Sequence, residues 1–400
     1  MHVQRLLASF VTAGILTTIA CKPSPSAEGP TDPNASTSSD DATPIAPGTG
    51  VTSASSDQPP GPHQLDAVLE PIQAKYELPA LAGAVVDSTG AIALGAVGVR
   101  DLRSQVPVTV DDRWHLGSNT KAMTATLAAI SVERDELAWD WPLERAFPGV
   151  TMHSDWGGVT LYDWLIHRGG APESIPESFP DTWQSWWGGG DTKSQRASLI
   201  AELLASPRVA TPGAFVYSNA GYVGIGGAIE TTTARSWEEV IHDRLFQPLG
   251  MSECGFGAPP AGHPVGHSAD LKPVPTLDNP PALGPAGTVH CTLQSWARFV
   301  RLHLVGPAGE SSLLPASAFV PLHEPKLGEY GGGWIVSTEQ PWAQGPALTH
   351  SGTNTAWFAT VWVAPAIGKA YLAVTNWAGG EAPIAVNAAI LALIRFDLAR

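Results

Sequence analysis

The sequence predicts an α+β fold: one antiparallel sheet assembled from both ends of the folded chain and flanked by terminal helices, with a mostly helical subdomain beside it. Three observations predict it. Short apolar runs bounded by turn residues occur near residues 81–98 and again over 332–376. Helical stretches mixed with Pro- and Gly-rich loops fill the middle of the chain, about 118–300. A last stretch rich in Ala, Leu and Ile, Ala382–Ala399, reads as a closing helix. Strands that come early and late, with helices between them, assemble into a single sheet with an inserted helical part.

Taken in order, the chain begins with an export segment. Arg5 precedes an uncharged apolar stretch, Leu6–Ala20, of a length that suits a signal-peptide core and is short for a membrane span. It ends in Ala20-Cys21, which resembles a bacterial lipobox, with Thr18 where the usual Leu would stand. The resemblance implies lipid attachment at Cys21 and a signal peptide over 1–21; an ordinary signal peptide cut near Ala20 is the alternative. Residues 22–62 are dominated by Pro, Ser, Thr, Ala, Gly and Asp with no apolar period. Such a segment cannot bury enough surface to offset its ordering entropy, so it is expected to be a flexible spacer between membrane and domain.

The folded domain is expected over 63–400. Leu65, Val68, Leu69, Ile72 and Tyr76 recur at helical spacing, with Pro71 predicting a kink or a short helix. Leu81–Asp87 and Ala91–Gly98 flank Ser88-Thr89-Gly90 and read as a β-hairpin. Asn119–Glu133 is Ala-rich and helical. Gly332–Thr338, Ala347–Ser351, Ala356–Ala364 and Ala370–Asn376 are strand-like, with a turn at Pro365-Ala366-Ile367-Gly368.

Composition narrows the function classes. The apolar fraction is 44%, enough for a sizeable core, and the formal net charge is −15. A chain this acidic is repelled by phosphate backbones, which argues against nucleic-acid binding and against electrostatic attachment to anionic lipid. The three cysteines are Cys21, Cys254 and Cys291, with no C-x-x-C pair. Cys254 and Cys291 are either a disulfide in an oxidising compartment or two free thiols.

Ser118-Asn119-Thr120-Lys121 carries the chemistry. On a helix starting at Ser118, residues three apart lie on one face, so hydroxyl and amine can meet. Burial disfavours a charged lysine, and a neutral amine beside a hydroxyl is a base that can activate it. Alone, the pattern also fits a helix cap followed by an exposed lysine. Tyr217-Ser218-Asn219 and His350-Ser351-Gly352, each occurring once, change that balance.

With these motifs the chain resembles the serine β-lactamase and penicillin-binding-protein group. Its likeness is to the branch of class C β-lactamases and their esterase and D-alanyl-D-alanine carboxypeptidase relatives. The resemblance covers about residues 65–398. It includes Trp114-His115-Leu116-Gly117 before the serine, Leu165-Ile166-His167-Arg168-Gly169-Gly170, and Pro285-Ala286-Gly287-Thr288. It implies a β-lactamase/transpeptidase-like fold and an acyl-enzyme on Ser118. Lys121 would serve as base or proton relay and Tyr217 as a second proton carrier. Asn219 would bind the substrate amide and Lys121. His350, Ser351 and Gly352 would line the substrate, and the N–H groups of Ser118 and Thr353 would form an oxyanion hole. Class C β-lactamases carry Lys-Thr-Gly where this chain has His350-Ser351-Gly352. A histidine is only partly charged near neutral pH, which weakens the case for penicillin hydrolysis and leaves room for esters, amides or D-amino-acid peptides.

Other residues are given blander readings. His263 and His267 are four apart, but Pro264 between them favours a loop over a metal site, and no cofactor is expected. His115 and His167 read as structural. Trp183, Trp186 and Trp187 before Gly188-Gly189-Gly190 form either a lid over the cleft or ordinary packing. One of Trp357 and Phe358 is expected to face the substrate groove, since strand side chains alternate. The expected enzyme is an exported, lipid-anchored monomer of the bacterial periplasm or cell surface, acting on a small molecule or short peptide. A β-lactamase and a non-catalytic peptidoglycan-binding module are the competing functions.

Overall fold

A computed structural model describes residues 64–173, 175 and 190–400. The stretch expected to direct export, with Cys21, the expected spacer over 22–62 and the Trp183/Trp186/Trp187 cluster lie outside the described residues. The main sheet has six strands: β1 (Ala80–Asp87), β2 (Gly90–Gly98), β6 (Ile335–Ser337), β7 (Ala347–Thr353), β8 (Phe358–Ala364) and β9 (Lys369–Thr375). Their order is β2-β1-β9-β8-β7-β6, and every pairing is antiparallel. The hairpin and the late strands thus join through β1 and β9, with Leu81 opposite Thr375 and Val85 opposite Tyr371. The β1–β2 turn is tied by Asp87, whose carboxylate accepts from the Thr89 N–H at 2.7 Å.

Both faces of this sheet are buried, which explains why its strands read as near-continuous apolar runs rather than clean alternations. Leu81, Val85, Val97, Tyr371 and Ala373 face the terminal helices α1 (Asp66–Lys75) and α6 (Ala382–Leu398). Pro71 sits inside α1, which is accordingly short. Ala80, Ala82, Ala84, Val86, Leu372 and Val374 point the other way, toward α5 (Leu293–Val305) and the larger core.

That larger core also holds α2 (Thr120–Glu133), α3 (Thr192–Ala205) and α4 (Asn219–Thr233). From Thr120 to Ser131 every residue of α2 is buried, so this helix runs through the interior. A second, three-stranded sheet was not anticipated from the sequence. It pairs β3 (Arg113–His115) with β5 (Val289–Thr292), and β5 with β4 (Gly255–Phe256). Strands of two to four residues leave too short a pattern to register as a period. Cys254 and Cys291 are joined by a disulfide here, with Cα atoms 4.1 Å apart, which ties the start of β4 to β5. Cys291 pairs in turn with Trp114, on the strand leading to Ser118.

Candidate active site

The segment from Trp114 to Lys121 leaves β3, turns at Gly117, passes through a 3-10 turn at Gly117–Asn119 and enters α2. Gly117 has φ +52°, a conformation glycine adopts without cost. Asn119 anchors the turn by donating from Nδ2 to the Leu116 carbonyl at 2.8 Å and to that of Ala359 at 3.3 Å. Thr120 donates to the Gly117 carbonyl at 2.7 Å. Ser118 is left partly accessible, while Lys121 is fully buried.

Lys121 Nζ lies 3.0 Å from Ser118 Oγ, 2.7 Å from Asn219 Oδ1 and 2.7 Å from the Ala286 carbonyl oxygen. Two of these partners, a side-chain amide oxygen and a peptide oxygen, can only accept. They claim two N–H bonds and leave the third position of the nitrogen facing the hydroxyl. An ammonium there donates to Oγ; after loss of that proton its lone pair faces the hydroxyl. The sequence contained the Pro285-Ala286-Gly287-Thr288 segment but could not show what its backbone does: Ala286 orients the lysine.

Tyr217-Ser218-Asn219 opens α4. Ser218 caps the helix, its hydroxyl accepting from Gly221 N–H at 2.9 Å and donating to the Pro172 carbonyl at 2.6 Å. Asn219 therefore starts the helix beside Lys121, and Tyr217 stands just before it. The Tyr217 phenol lies near enough to Ser118 for the hydroxyl to favour the phenolate, and Lys121 Nζ is 4.8 Å from its ring centroid. Burial pushes the phenol well above its ordinary value, against a smaller lowering by the Ser118 hydroxyl, so it holds its proton at neutral pH.

A third wall comes from β7. Pairing with β6 covers only Ala347–Thr349, and the edge beyond it meets Gly117 and Ser118. The approach is close enough to exclude any side chain: a Cβ on Gly352 would lie 2.1 Å from the Leu116 carbonyl oxygen and 2.6 Å from the Ser118 nitrogen. A Cβ on Gly117 would lie 2.4 Å from the Thr353 nitrogen. The backbone nitrogens of Ser118 and Thr353, the pair expected to bind an oxyanion, thus meet at one junction.

His350 departs from its expected place. It is buried, its Nδ1 lies 2.7 Å from the Ser351 carbonyl oxygen and its Nε2 lies 3.1 Å from Tyr330 Oη. A carbonyl oxygen can only accept, so Nδ1 carries the proton and Nε2 accepts from the phenol. Burial and the nearby Lys121 charge push its pKa down to about 3, so the ring is neutral rather than partly charged at neutral pH. Neither nitrogen is left for a substrate, because the strand edge and Tyr330 have already engaged both. Ser351 is exposed and paired through Oγ with Thr360 at 2.9 Å. Trp357 and Phe358 are both buried, so neither faces the groove; Trp357 packs edge-on against Trp114 at 6.2 Å.

His167 is buried and packs its ring 4.4 Å from that of Tyr217 and 4.5 Å from that of Tyr330, while its Nδ1 accepts from the Ser218 N–H at 3.0 Å. It is a positioning residue for the tyrosine. His115 Nδ1 accepts from the Gly117 N–H at 3.1 Å, and Nε2 lies 2.9 Å from Asp278. His263 lies 3.3 Å from Asp112, and His267 is bonded to backbone groups of Leu102 and Asn376. Among the described residues no group of three His, Cys, Asp or Glu is placed to hold a metal. Tyr330, His167 and Ala286 carry no sequence signal for these roles, since each acts through a contact between distant stretches of chain.

The arrangement defines a class: a buried lysine and a phenol at one accessible serine, between a six-stranded antiparallel sheet and a helical subdomain. The family model described as Beta-lactamase matches residues 65–395. The chain is 28% identical over 312 residues to "Penicillin-binding protein 4" of Amycolatopsis lactamdurans, covering 72% of this chain and 77% of that protein. It is 26% identical over 278 residues to an unguisins hydrolase of Aspergillus campestris, covering 63% and 50%. Identity to the "Beta-lactamase" of Escherichia coli K12 is 25% over 265 residues, covering 61% and 62%. A penicillin-binding protein homologue from Pyrococcus abyssi, described as octameric, superposes with a TM-score of 0.67 at 21% identity, over 82% of this chain and 76% of that one; this shows the fold alone. The chain belongs to the beta-lactamase family, whose hydrolase members are among its relatives.

Proposed function

We propose that the chain is a serine hydrolase that forms an acyl-enzyme on Ser118, acting on an ester, an amide or a D-amino-acid peptide. The observation that carries this reading is the 3.0 Å approach of Lys121 Nζ to Ser118 Oγ, with the Asn219 and Ala286 carbonyl oxygens also accepting from that nitrogen. In the first half-reaction Ser118 Oγ bonds to the substrate carbonyl carbon and its proton passes to Lys121. The N–H groups of Ser118 and Thr353 receive the charge on the carbonyl oxygen. Tyr217, protonated at neutral pH, gives its proton to the leaving oxygen or nitrogen as the bond from the carbonyl carbon to that atom breaks and the carbonyl re-forms, and is restored by the proton held on Lys121. In the second half-reaction water attacks the ester carbon, its proton goes to this same pair, and Ser118 Oγ leaves with a proton returned to it.

A neutral His350 supports esters and amides, and peptides whose carboxylate is not bound on β7, over a β-lactam whose carboxylate would need a cation there. Export and lipid anchoring through Cys21 are part of the proposal and rest on the sequence of residues 1–62; among the described residues no helix is long and apolar enough to cross a membrane.

The test is a panel of p-nitrophenyl ester, D-Ala-D-Ala peptide, chromogenic cephalosporin and fluorescent penicillin, with Ser118→Ala alongside. Ser118→Ala is expected to abolish every turnover observed. Lys121→Ala and Tyr217→Phe are each expected to lower the rate by about two to four orders of magnitude. Wild-type turnover by Ser118→Ala would overturn the mechanism.

A further inference from the structure

Glu173 stands at the mouth of this site with no assigned role. Its carbonyl accepts the Asn219 N–H at 3.1 Å, which fixes it beside the residue expected to hold the substrate amide. Its carboxylate oxygen Oε1 is shut off from solvent and has no hydrogen-bond partner among the described residues. The charge is felt at Tyr217, whose proton it helps to retain. A buried carboxylate oxygen without a donor is costly, and a site that keeps one is complete only when something brings a donor to it.

The opposite wall has the complementary property. On β7, both nitrogens of His350 are engaged by Ser351 and Tyr330, so that strand offers no cation and no spare ring N–H. Lys121 is buried against Ser118, Asn219 and Ala286. Arg168, on the neighbouring rim, is directed to the Gly213 carbonyl at 2.6 Å and to the face of Phe215. Among the described residues a substrate carboxylate finds no free positive partner along this edge, whereas a substrate ammonium finds Glu173.

We infer that Glu173 is a specificity-determining residue that receives a primary ammonium on the acyl portion of the substrate, so that the preferred substrates are esters or amides of amino acids with a free amine. This rests on the reading of Ser118 as nucleophile and names the substrate class of that site. The ammonium supplies the missing donor and a charge-assisted hydrogen bond, and its acyl carbonyl then lies between Asn219 and Ser118.

The test compares D-alanyl-p-nitroanilide with N-acetyl-D-alanyl-p-nitroanilide, in which an acetyl group removes the charge of the amine, on the full chain and on Glu173→Gln, which separates the charge from the added bulk. The wild type is expected to favour the free amine by at least about tenfold in kcat/KM, and Glu173→Gln to bring that ratio to near one, through KM more than kcat. Thermal melting of both proteins checks that the variant is folded, and the wild-type ratio alone decides the matter if it is not. Equal use of both anilides by the wild type overturns the inference. So does an equal loss on both in Glu173→Gln, which would make Glu173 a proton-transfer group instead. So does turnover of p-nitrophenyl acetate with none of the free-amine anilide. Turnover of p-nitrophenyl acetate by wild type but not Ser118→Ala keeps the hydrolase reading standing in each of these cases.

Discussion

Gly352→Ala is the sharpest probe of the junction between β7 and Ser118. The added methyl would sit 2.1 Å from the Leu116 carbonyl oxygen, 2.6 Å from the Ser118 nitrogen and 2.9 Å from that of Asn119. All three are backbone atoms, so no rotamer change relieves the overlap. Ordinary contact begins at 3.4 Å, which leaves the closest pair short by about 1.3 Å. Either β7 or the Leu116–Asn119 turn must move, and both carry an expected oxyanion donor. A misplacement near 1 Å costs on the order of 10²-fold in rate, and overpacking of this kind costs about 1–3 kcal/mol of stability. The assay is kcat/KM on p-nitrophenyl acetate together with a urea melt. Gly380→Ala is the control, because its Cβ would meet nothing within 4 Å. Activity of Gly352→Ala within threefold of wild type would show that strand and turn are not in the contact described.

Three further outcomes are expected. Reduction of Cys254–Cys291, whose sequence separation is 37, is expected to cost about 2–4 kcal/mol in a urea melt of the reduced against the oxidised protein, with loss of the β4–β5 staple; unchanged stability would contradict it. Tyr330→Phe removes the donor to His350 Nε2 and leaves that buried acceptor unpaired, and is expected to cost about 1–3 kcal/mol in a urea melt; unchanged stability would contradict it. Acid is expected to destabilise the fold from pH 6.5 downward. Burial holds His290 at about 4, His323 at about 3 and His350 at about 3, while in the unfolded chain each titrates near 6.5. Below pH 6.5 the unfolded chain binds protons that the folded one does not, so full stability exists above that value. It falls by about 1.4 kcal/mol per pH unit per histidine until the folded value is reached. Melting temperatures flat between pH 7 and pH 4.5 would refute this.

Much of the frame was legible without coordinates. The hairpin over 80–98, the helix over 120–133 that follows Ser118, the late strands and the closing helix over 382–398 match their expected positions to within a few residues. Long apolar runs and strong turn residues specify these locally. The small sheet β3-β5-β4 was not legible, because β3 meets β5 only across a separation from Trp114 to Cys291 and each strand is too short to show a period. The same holds for Ala286, whose contribution is a carbonyl, a group every residue has; only its place against Lys121 distinguishes it.

By itself the sequence determined which chemical groups this protein possesses and which element each belongs to: a serine and a lysine one turn apart, a tyrosine before a helix, a glycine on a strand edge. Side-chain identity and local spacing are sequence properties, and they sufficed for that. What only the tertiary structure decided is how those groups are wired. Both nitrogens of His350 are engaged by Tyr330 and by its own strand, Lys121 is held by two carbonyls, and an oxygen of Glu173 lies buried without a donor among the described residues. Charge, tautomer and donor vacancy depend on burial and on partners drawn from remote stretches of chain, and neither is encoded in any local pattern of residues.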